Sequence, residues 1–243
     1  MLDTFNVDKL RQSCASCSIQ ELCLPAGVGA EDLERLDRLV NRQKPFRKGD
    51  KLFLSAQPFG SLYVVRTGTV KTYHQGDDGV DQIIGFHYPG DIIGLDAIHA
   101  GQHACTAECL EHTSVCELPF DKLEDVSRDI PGLRQQLMKI ISREMSQEHR
   151  HLLILGKRNA HERLAVFLLG LSSRFEARGF SATEFHLSMS RNDLANYLGL
   201  AVETVSRLFT RFQEQGVLQV ERKRVHIEDM DGLRRLAGSH CEL

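Results

Sequence analysis

The sequence has no long hydrophobic run, and none of its apolar stretches approaches the ~20 residues of a membrane span. Its beginning, MLDTFNVDKLRQSCASC, also lacks the apolar core of a signal peptide. Hydrophobic residues make up 42% of the chain and charged residues 26%, which is typical of a globular protein with a sizeable core. We therefore expect a cytoplasmic protein that has no membrane partner.

Catalytic motifs are also missing. The chain contains no phosphate-binding loop, no H-E-x-x-H motif and no Ser/His/Asp order of the hydrolase type. Its histidines are scattered, and those of the β-rich region suit surface or core positions better than a shared site. The sequence therefore predicts a protein that is not an enzyme.

The chain has no excess of positive charge, since its net charge is -3. Residues 1–156 carry 17 Lys and Arg against 22 Asp and Glu, whereas residues 157–243 carry 13 against 11. The C-terminal part is therefore mildly positive and the rest is negative. Because this asymmetry is small, DNA binding has to be argued from a motif rather than from charge.

The pattern of apolar residues predicts an α+β chain. Residues 31–42 have leucines at helical spacing, and residues 44–120 are short β-rich runs separated by glycines. Regularly spaced short strands with glycine turns are typical of a β-sandwich or barrel. A long helix is predicted from Pro131 to Gly156, because proline favours a helix start and glycine favours a helix end.

The long helix carries two apolar stripes. One steps alternately by four and three residues, as the seam of a coiled coil does, with one carboxylate interrupting it. This predicted seam consists of Arg134, Met138, Ile141, Met145, Glu148, Leu152 and Leu155. The second stripe consists of Leu133, Leu137 and Ile140 and suits packing on the chain's own barrel. Two stripes predict a helix that contacts both its own domain and a second copy, which makes the protein a homodimer.

Residues 190–216 have the pattern of a helix-turn-helix. Ser190 is a good N-cap for a first helix, Gly199 allows the turn, and a second helix follows through residue 215. The next stretch, VLQVERKRVHI, predicts a hairpin with a charged tip, and hence a winged helix-turn-helix.

The second helix of this motif carries Glu203, Ser206 and Arg207 on its polar face. Arginine can donate two hydrogen bonds to guanine, and glutamate can accept one from cytosine. The alternative is an ordinary i,i+4 ion pair between Glu203 and Arg207 on a solvated face. The motif and the predicted wing together favour the reading of double-stranded DNA.

Three cysteines stand close together near the N-terminus, as Cys14, Cys17 and Cys23. A tetrahedral metal site or a cubane cluster needs a fourth ligand. The spacing leaves four candidates: Cys105, Cys109, Cys116 and Cys241. Two of them, Cys105 and Cys109, share one face of a predicted strand and suit the core. Thiolates bind both iron–sulfur clusters and zinc, and a bare thiol switch is a further possibility.

Four segments resemble the CRP/FNR transcription regulators, and in particular the oxygen-responsive FNR/Anr branch. They are QIIGFH (82–87), SVCELPF (114–120), LRQQLM (133–138) and YLGLAVETVSR (197–207). The resemblance covers nearly the whole chain. It implies a cyclic-nucleotide-binding-like β-barrel (jelly roll), a long dimerisation helix and a C-terminal winged helix-turn-helix. The implied segments are a cluster-binding segment at 1–30, a sensor barrel at 31–128, the dimerisation helix at 129–156 and the DNA-binding domain at 157–243.

The resemblance also implies a site and a function. The family takes its fourth ligand from the motif matching SVCELPF, so a [4Fe-4S] cluster is expected on Cys14, Cys17, Cys23 and Cys116. An intact cluster would support dimers that bind palindromic promoter sites like TTGAT-N4-ATCAA and control anaerobic-metabolism genes. The alternative is a regulator of this family with a structural zinc, a heme or a thiol-redox sensor instead.

Two further expectations follow from the resemblance. A surface loop containing Asp78, Gly79 and Asp81 matches a contact with RNA polymerase, although Asp-Gly is also a common turn signal. No cyclic nucleotide is expected, because the stretches that match the nucleotide-binding positions are Gly94-Leu95 and His103-Ala104-Cys105. They lack the carboxylate and the cation that hold ribose and phosphate in relatives.

Overall fold

The computed structural model describes residues 13–76 and 79–238. The chain divides into two compact units, of which the first consists of residues 1–72 and 86–143 and the second of residues 73–85 and 144–243. Of the residues named above, Asp78 and Cys241 lie outside the described ranges. In the part of the chain that is described, no helix is both long enough and apolar enough to cross a membrane.

The N-terminal part of the chain is built mainly of short strands. It contains α1 (Ala30–Leu39), β1 (Asn41–Arg42), β2 (Lys51–Phe53), β3 (Ser61–Thr67), β4 (Val70–Gln75), β5 (Asp81–His87), β6 (Ile92–Ile93), β7 (Thr106–Cys109), β8 (Ser114–Pro119), α2 (Phe120–Asp129) and α3 (Pro131–Lys157). The strands form two four-stranded sheets, in the orders β1-β8-β3-β6 and β2-β7-β4-β5. The predicted β-rich region is therefore confirmed, whereas α2 was missed.

Strand β3 shows why these residues form a sandwich. Leu62 and Val64 belong to one apolar core, whereas Val65 belongs to a second core against which Tyr63 packs. Successive side chains of a strand point to opposite faces, so one strand supplies both cores. The first core also contains the second stripe of α3, since Leu133 and Ile140 are fully buried and Leu137 packs against them. That stripe was predicted from the sequence and is confirmed.

The C-terminal part is mainly helical. It contains α4 (Ala160–Glu176), β9 (Glu184–His186), α5 (Arg191–Leu198), α6 (Val202–Glu214), β10 (Leu218–Glu221), β11 (Arg224–Ile227) and α7 (Met230–Ala237). Ser190 caps α5 by accepting from the backbone of Asp193, and Gly199 ends it with φ 62° in the left-handed region. The predicted helix-turn-helix and wing are thus confirmed. The sequence did not indicate β9, which extends the wing to a sheet of order β10-β11-β9.

Candidate metal centre and nucleic-acid interface

The three N-terminal cysteines lie on a segment that is coiled into two 3-10 turns, at residues 14–16 and 20–22. The backbone N–H of Cys17 donates to the carbonyl of Cys14 at 3.4 Å, and that of Cys23 donates to Gln20 at 3.3 Å. These tight turns hold the segment in a compact loop. Cys17, Cys23 and Cys116 all pack against the same apolar core of the first unit.

The four predicted ligands come within electrostatic range of one another. Burial is the main cause of the raised pKa of Cys23, and negative charge on Cys116, Cys14 and Cys17 raises it further. Charge on Cys116 likewise contributes to the raised pKa of Cys14. The structure therefore places the Cys116 thiol of strand β8 near the N-terminal loop. The spacing of the cysteines in the sequence could not identify this fourth thiol. Among the described residues, no three His, Cys, Asp or Glu side chains are placed to share a single metal ion.

The protonation of these thiols depends on burial and on nearby charge. Burial raises the pKa of Cys14 to about 12, with Asp37 acting in the same direction and Arg42 against it. Burial also raises the pKa of Cys116, whereas Arg42 and Arg66 lower it. Burial therefore favours the protonated form of Cys14 and of Cys116. Because a metal group binds thiolates, its binding would release protons.

The other two described cysteines belong to the barrel interior. Cys105 and Cys109 are buried in the second core, as predicted for small core residues. Burial raises the pKa of the Cys105 thiol to about 12 and that of Cys109 to about 11. Their place in the second core, rather than beside the N-terminal loop, fits the role of small core residues.

Aromatic side chains fill the barrel at the positions that the resemblance relates to nucleotide binding. The buried ring of His103 stacks on Phe53, with 3.6 Å between centroids, and Phe59 meets it edge-on. A Cβ added at Gly94 would lie 3.5 Å from His103, so this glycine lies directly beside the ring. Protein side chains therefore occupy this part of the interior.

Helix α6, the second helix of the helix-turn-helix, has a buried face and an exposed face. Its buried face contains Val205, Leu208, Phe209 and Phe212. The predicted base-reading residues Glu203, Ser206 and Arg207 are all exposed. In the described ranges no ion pair joins Glu203 to Arg207, so neither side chain is engaged by the other. Both remain available to a ligand outside the protein.

The wing follows α6 in the sequence and carries positive charge at its tip. Its two strands meet at Arg222 and Lys223, where Arg222 adopts φ 56° to close the hairpin. Arg222 is exposed, and Lys223 donates to the carbonyl of Ser188 at 3.0 Å. Cations of this kind contact phosphates and fix the register of a protein on DNA.

The predicted seam of α3 exposes large apolar side chains. Met138 is 55% exposed, Met145 is 53% exposed and Leu152 is 66% exposed. The charged seam residues Arg134 and Glu148 are exposed too. Ile141 and Leu155, the remaining seam residues, are half-buried. An exposed apolar stripe of this length on one helix is typical of a surface that another protein covers.

In the second unit, two polar side chains bind backbone groups that are distant in sequence. The sequence analysis did not indicate either residue. The guanidinium of Arg163 donates to the carbonyl of Leu155 at 2.7 Å and to that of Leu198 at 3.0 Å, so it joins the ends of α3 and α5. The amide of Asn196 donates to the carbonyl of Asp81 at 2.6 Å and accepts from the N–H of Ile83 at 2.7 Å. Such contacts between distant residues have no local sequence signature.

Both halves of the chain match known protein families. Residues 43–129 match the cyclic nucleotide-binding domain, and residues 162–236 match the Crp-like helix-turn-helix domain. This combination defines a class of DNA-binding transcription regulators.

Individual relatives make the assignment more specific. The chain is 48% identical over 243 residues to the transcriptional activator protein Anr of Pseudomonas aeruginosa, covering 100% of both chains. It is 48% identical over 225 residues to the fumarate and nitrate reduction regulatory protein of Escherichia coli, covering 93% of this chain and 90% of the relative. The structure of FixK2 from Bradyrhizobium japonicum is similar with a TM-score of 0.75 and 31% identity, over 82% of this chain and 98% of that chain.

The chain belongs to the CRP/FNR family of transcription regulators. The family resemblance read from the sequence is therefore confirmed, as are the fold class and the expectation of a regulator rather than an enzyme.

Proposed function

We propose that this regulator responds to oxygen through a [4Fe-4S] cluster held by Cys14, Cys17, Cys23 and Cys116. The observation that carries the proposal is the convergence of a β8 thiol on the N-terminal loop that bears the other three. The similarity to a regulator of fumarate and nitrate reduction supports control of anaerobic-metabolism genes. In this proposal the protein acts in the cytoplasm, on promoter DNA and with RNA polymerase.

The donor set fits such a cluster. Four thiolates are the usual ligands of a [4Fe-4S] group, and Arg42 and Arg66 place positive charge near Cys116. When bound, a cluster of this type supplies a group that oxygen destroys. Structural zinc is the second candidate, because four thiolates suit zinc as well. A heme or a thiol-redox switch on the same scaffold is a further alternative.

The cysteine loop packs directly on the dimerisation helix. Ile19, Leu24 and Val28 share one core with Leu133 and Ile140 of α3. The amide of Gln136 also donates to the carbonyl of Cys23 at 3.3 Å. A bound group that fixes the loop therefore also fixes its contact with the first half of α3. Loss of that group loosens the contact made by the helix face that carries Leu133 and Ile140.

Dimerisation then links the cysteine loop to DNA. The seam of α3 pairs with the seam of a second copy, and two recognition helices are held about 34 Å apart, which is one turn of DNA. A tenfold change in the dimerisation constant needs only about 1.4 kcal/mol. The proposed site is TTGAT-N4-ATCAA, in which Arg207 and Glu203 address one G·C pair and Ser206 a neighbouring base. The proposal includes no cyclic nucleotide, because Gly94-Leu95 and His103-Ala104-Cys105 lack the carboxylate and the cation that hold ribose and phosphate in relatives.

This link can be tested by comparing protein purified without oxygen before and after exposure to air. We expect dimers that bind a paired TTGAT site before exposure and monomers with at least tenfold weaker binding afterwards. Size-exclusion chromatography and fluorescence anisotropy measure the two quantities. Dimerisation and binding that are unaffected by air would contradict the proposed oxygen response and leave the assignment to the family intact.

The carboxylate in the seam is expected to keep the dimer weak. In a parallel dimer the two Glu148 side chains approach each other, and like charges in a partly dehydrated contact repel. We expect Glu148→Ala to remain dimeric and bound to DNA in air, with dimerisation at least tenfold tighter. Glu148→Asp, which keeps the charge, serves as the control and is expected to lose its dimer in air. A monomeric Glu148→Ala protein in air would show that this carboxylate does not limit dimerisation.

The loop proposed to contact RNA polymerase is held by Asn196. Gly79 precedes β5 and Asp81 begins it, and the two hydrogen bonds of the Asn196 amide fix the backbone on either side of Gln82. We expect Asn196→Ala to reduce transcription activation several-fold and to change DNA affinity less than twofold, because α6 is untouched. Asn192→Ala, an exposed asparagine on the same helix, is the control. Equal losses of activation and of DNA binding would refute this role of Asn196.

A further inference from the structure

One ion pair connects the N-terminal cysteine loop to strand β8. Arg42 lies directly opposite Cys116 in the antiparallel pairing of β1 with β8. Its guanidinium forms a short ion pair with Asp37, at the end of α1. The same carboxylate oxygen of Asp37 accepts the backbone N–H of Cys14 at 2.7 Å. Arg42 and Asp37 therefore connect one proposed ligand on the loop to the proposed ligand on the barrel.

The environment of this pair differs from that of an ordinary surface ion pair. The side chains of Arg42 and Asp37 are 18% and 29% exposed, whereas those of the neighbouring pair Arg38 and Glu34 are 78% and 81% exposed. Removing charges from water is costly unless they are well paired. A half-buried pair with a hydrogen bond to the Cys14 backbone has a defined geometry that a surface pair lacks.

Arg42 also places a positive charge beside the proposed ligands. It lies opposite Cys116, and its partner Asp37 accepts the backbone N–H of Cys14. Binding of a metal group requires thiolates, and four of them bring four negative charges into a partly buried site. Asp37 is negative itself, so it cannot offset the charge of bound thiolates. Its role is consistent with holding Arg42 and the Cys14 backbone in place rather than with supplying favourable charge.

We propose that Arg42 and Asp37 are positioning residues of the cysteine centre, which orient Cys14 relative to Cys116 and offset the charge of the bound thiolates. The inference rests on the proposed function only in requiring that the four cysteines bind a metal group. Outer residues that orient metal ligands typically contribute 10–100-fold to metal affinity. The pair belongs to this class, because neither side chain is itself a thiol ligand.

The first test uses the full-length apoprotein and Co²⁺, whose thiolate complexes absorb visible light. We expect Arg42→Met to bind Co²⁺ about 10–100-fold more weakly than the wild type. Arg38→Met is the matched control, because Arg38 is an exposed arginine between Asp37 and Arg42 in sequence. This control is expected to bind like the wild type. Thermal unfolding of each variant identifies any variant that fails to fold.

A second variant separates position from charge. Asp37→Asn keeps an oxygen that can accept the Cys14 N–H but loses the ion pair with Arg42. If the two residues act as one unit, the double variant Asp37→Asn with Arg42→Met binds Co²⁺ no more weakly than the worse single variant. Arg42→Lys keeps the charge without the planar fork, and is expected to fall between Arg42→Met and the wild type.

A parallel measurement uses the protein loaded without oxygen. Release of iron to a chelator under argon is expected to be at least tenfold faster in Arg42→Met than in the wild type and in Arg38→Met. Equal Co²⁺ affinities and equal iron release in folded Arg42→Met and wild type would overturn the inference. A wild type that carries no iron and gives no thiolate bands with Co²⁺ would instead overturn the proposed centre itself.

Discussion

Replacing Cys116 by alanine is expected to abolish the iron–sulfur cluster and, with it, DNA binding in the absence of oxygen. The other three proposed ligands lie on one loop, so Cys116 is the ligand through which a bound cluster would be joined to strand β8 of the barrel. Without this thiolate the loop loses its fixed contact with α3, where Gln136 donates to the carbonyl of Cys23. We expect the variant to contain less than a tenth of the wild-type iron and to bind the paired DNA site at least tenfold more weakly.

Cys105→Ala is the matched control for this variant. It also removes one barrel thiol, but that thiol is buried in the second core, away from the proposed ligands. We expect it to lose about 1 kcal/mol of stability, because a small apolar group is removed from the interior, and to keep its iron. Iron analysis and visible absorption measure the cluster content of each variant. Fluorescence anisotropy with a labelled DNA site measures its binding. Loss of iron from Cys105→Ala together with its retention in Cys116→Ala would reverse the assignment of the fourth ligand.

Replacing Arg207 by alanine is expected to remove sequence discrimination. Arg207 is exposed on α6 and is not engaged by Glu203, so its guanidinium is free to make two hydrogen bonds to a guanine. A contact of this kind provides about 1–3 kcal/mol of discrimination, which corresponds to a loss of roughly 5–150-fold for the specific site. We expect little change in affinity for unrelated DNA, measured by competition with sites altered at that G·C pair.

Removing a cation of the wing is expected to have a different effect from removing Arg207. Arg222→Ala removes an exposed charge at the hairpin tip, so we expect weaker binding to all sequences by a similar factor. The slope of log affinity against log salt concentration should fall by about one, as for the loss of one phosphate contact. If Arg207→Ala behaved in the same way, α6 would contact the backbone rather than the bases.

The elements that the sequence predicts well are those with local signatures. Ser190 and Gly199 mark the ends of α5, and the spacing of Leu133 and Ile140 marks the buried face of α3. The first three cysteines can be grouped because they are neighbours along the chain. These features depend on periodicity, capping and turn geometry, all of which are encoded within a few residues.

The features that the sequence could not provide depend on contacts between distant segments. Spacing could not select Cys116, because its proximity to the loop follows from the register of β8 beside β1. The same register places Arg42 opposite Cys116, and Asn196 meets β5 only in the folded unit. The choice of Cys116 came from a family resemblance, and no residue periodicity would have indicated Asp37, Arg42 or Asn196. Long-range strand pairing has no short sequence signature.

The most direct test of the central claim is the visible spectrum of protein purified without oxygen, with its iron and sulfide content, followed as air is admitted. A [4Fe-4S] centre gives a broad visible absorption, about four iron atoms and four sulfides per chain, and bleaching in air. We expect Cys116→Ala to lack this absorption. A colourless protein that contains zinc and is unchanged by air would contradict the account, and would make the four cysteines a structural clip on a DNA-binding regulator.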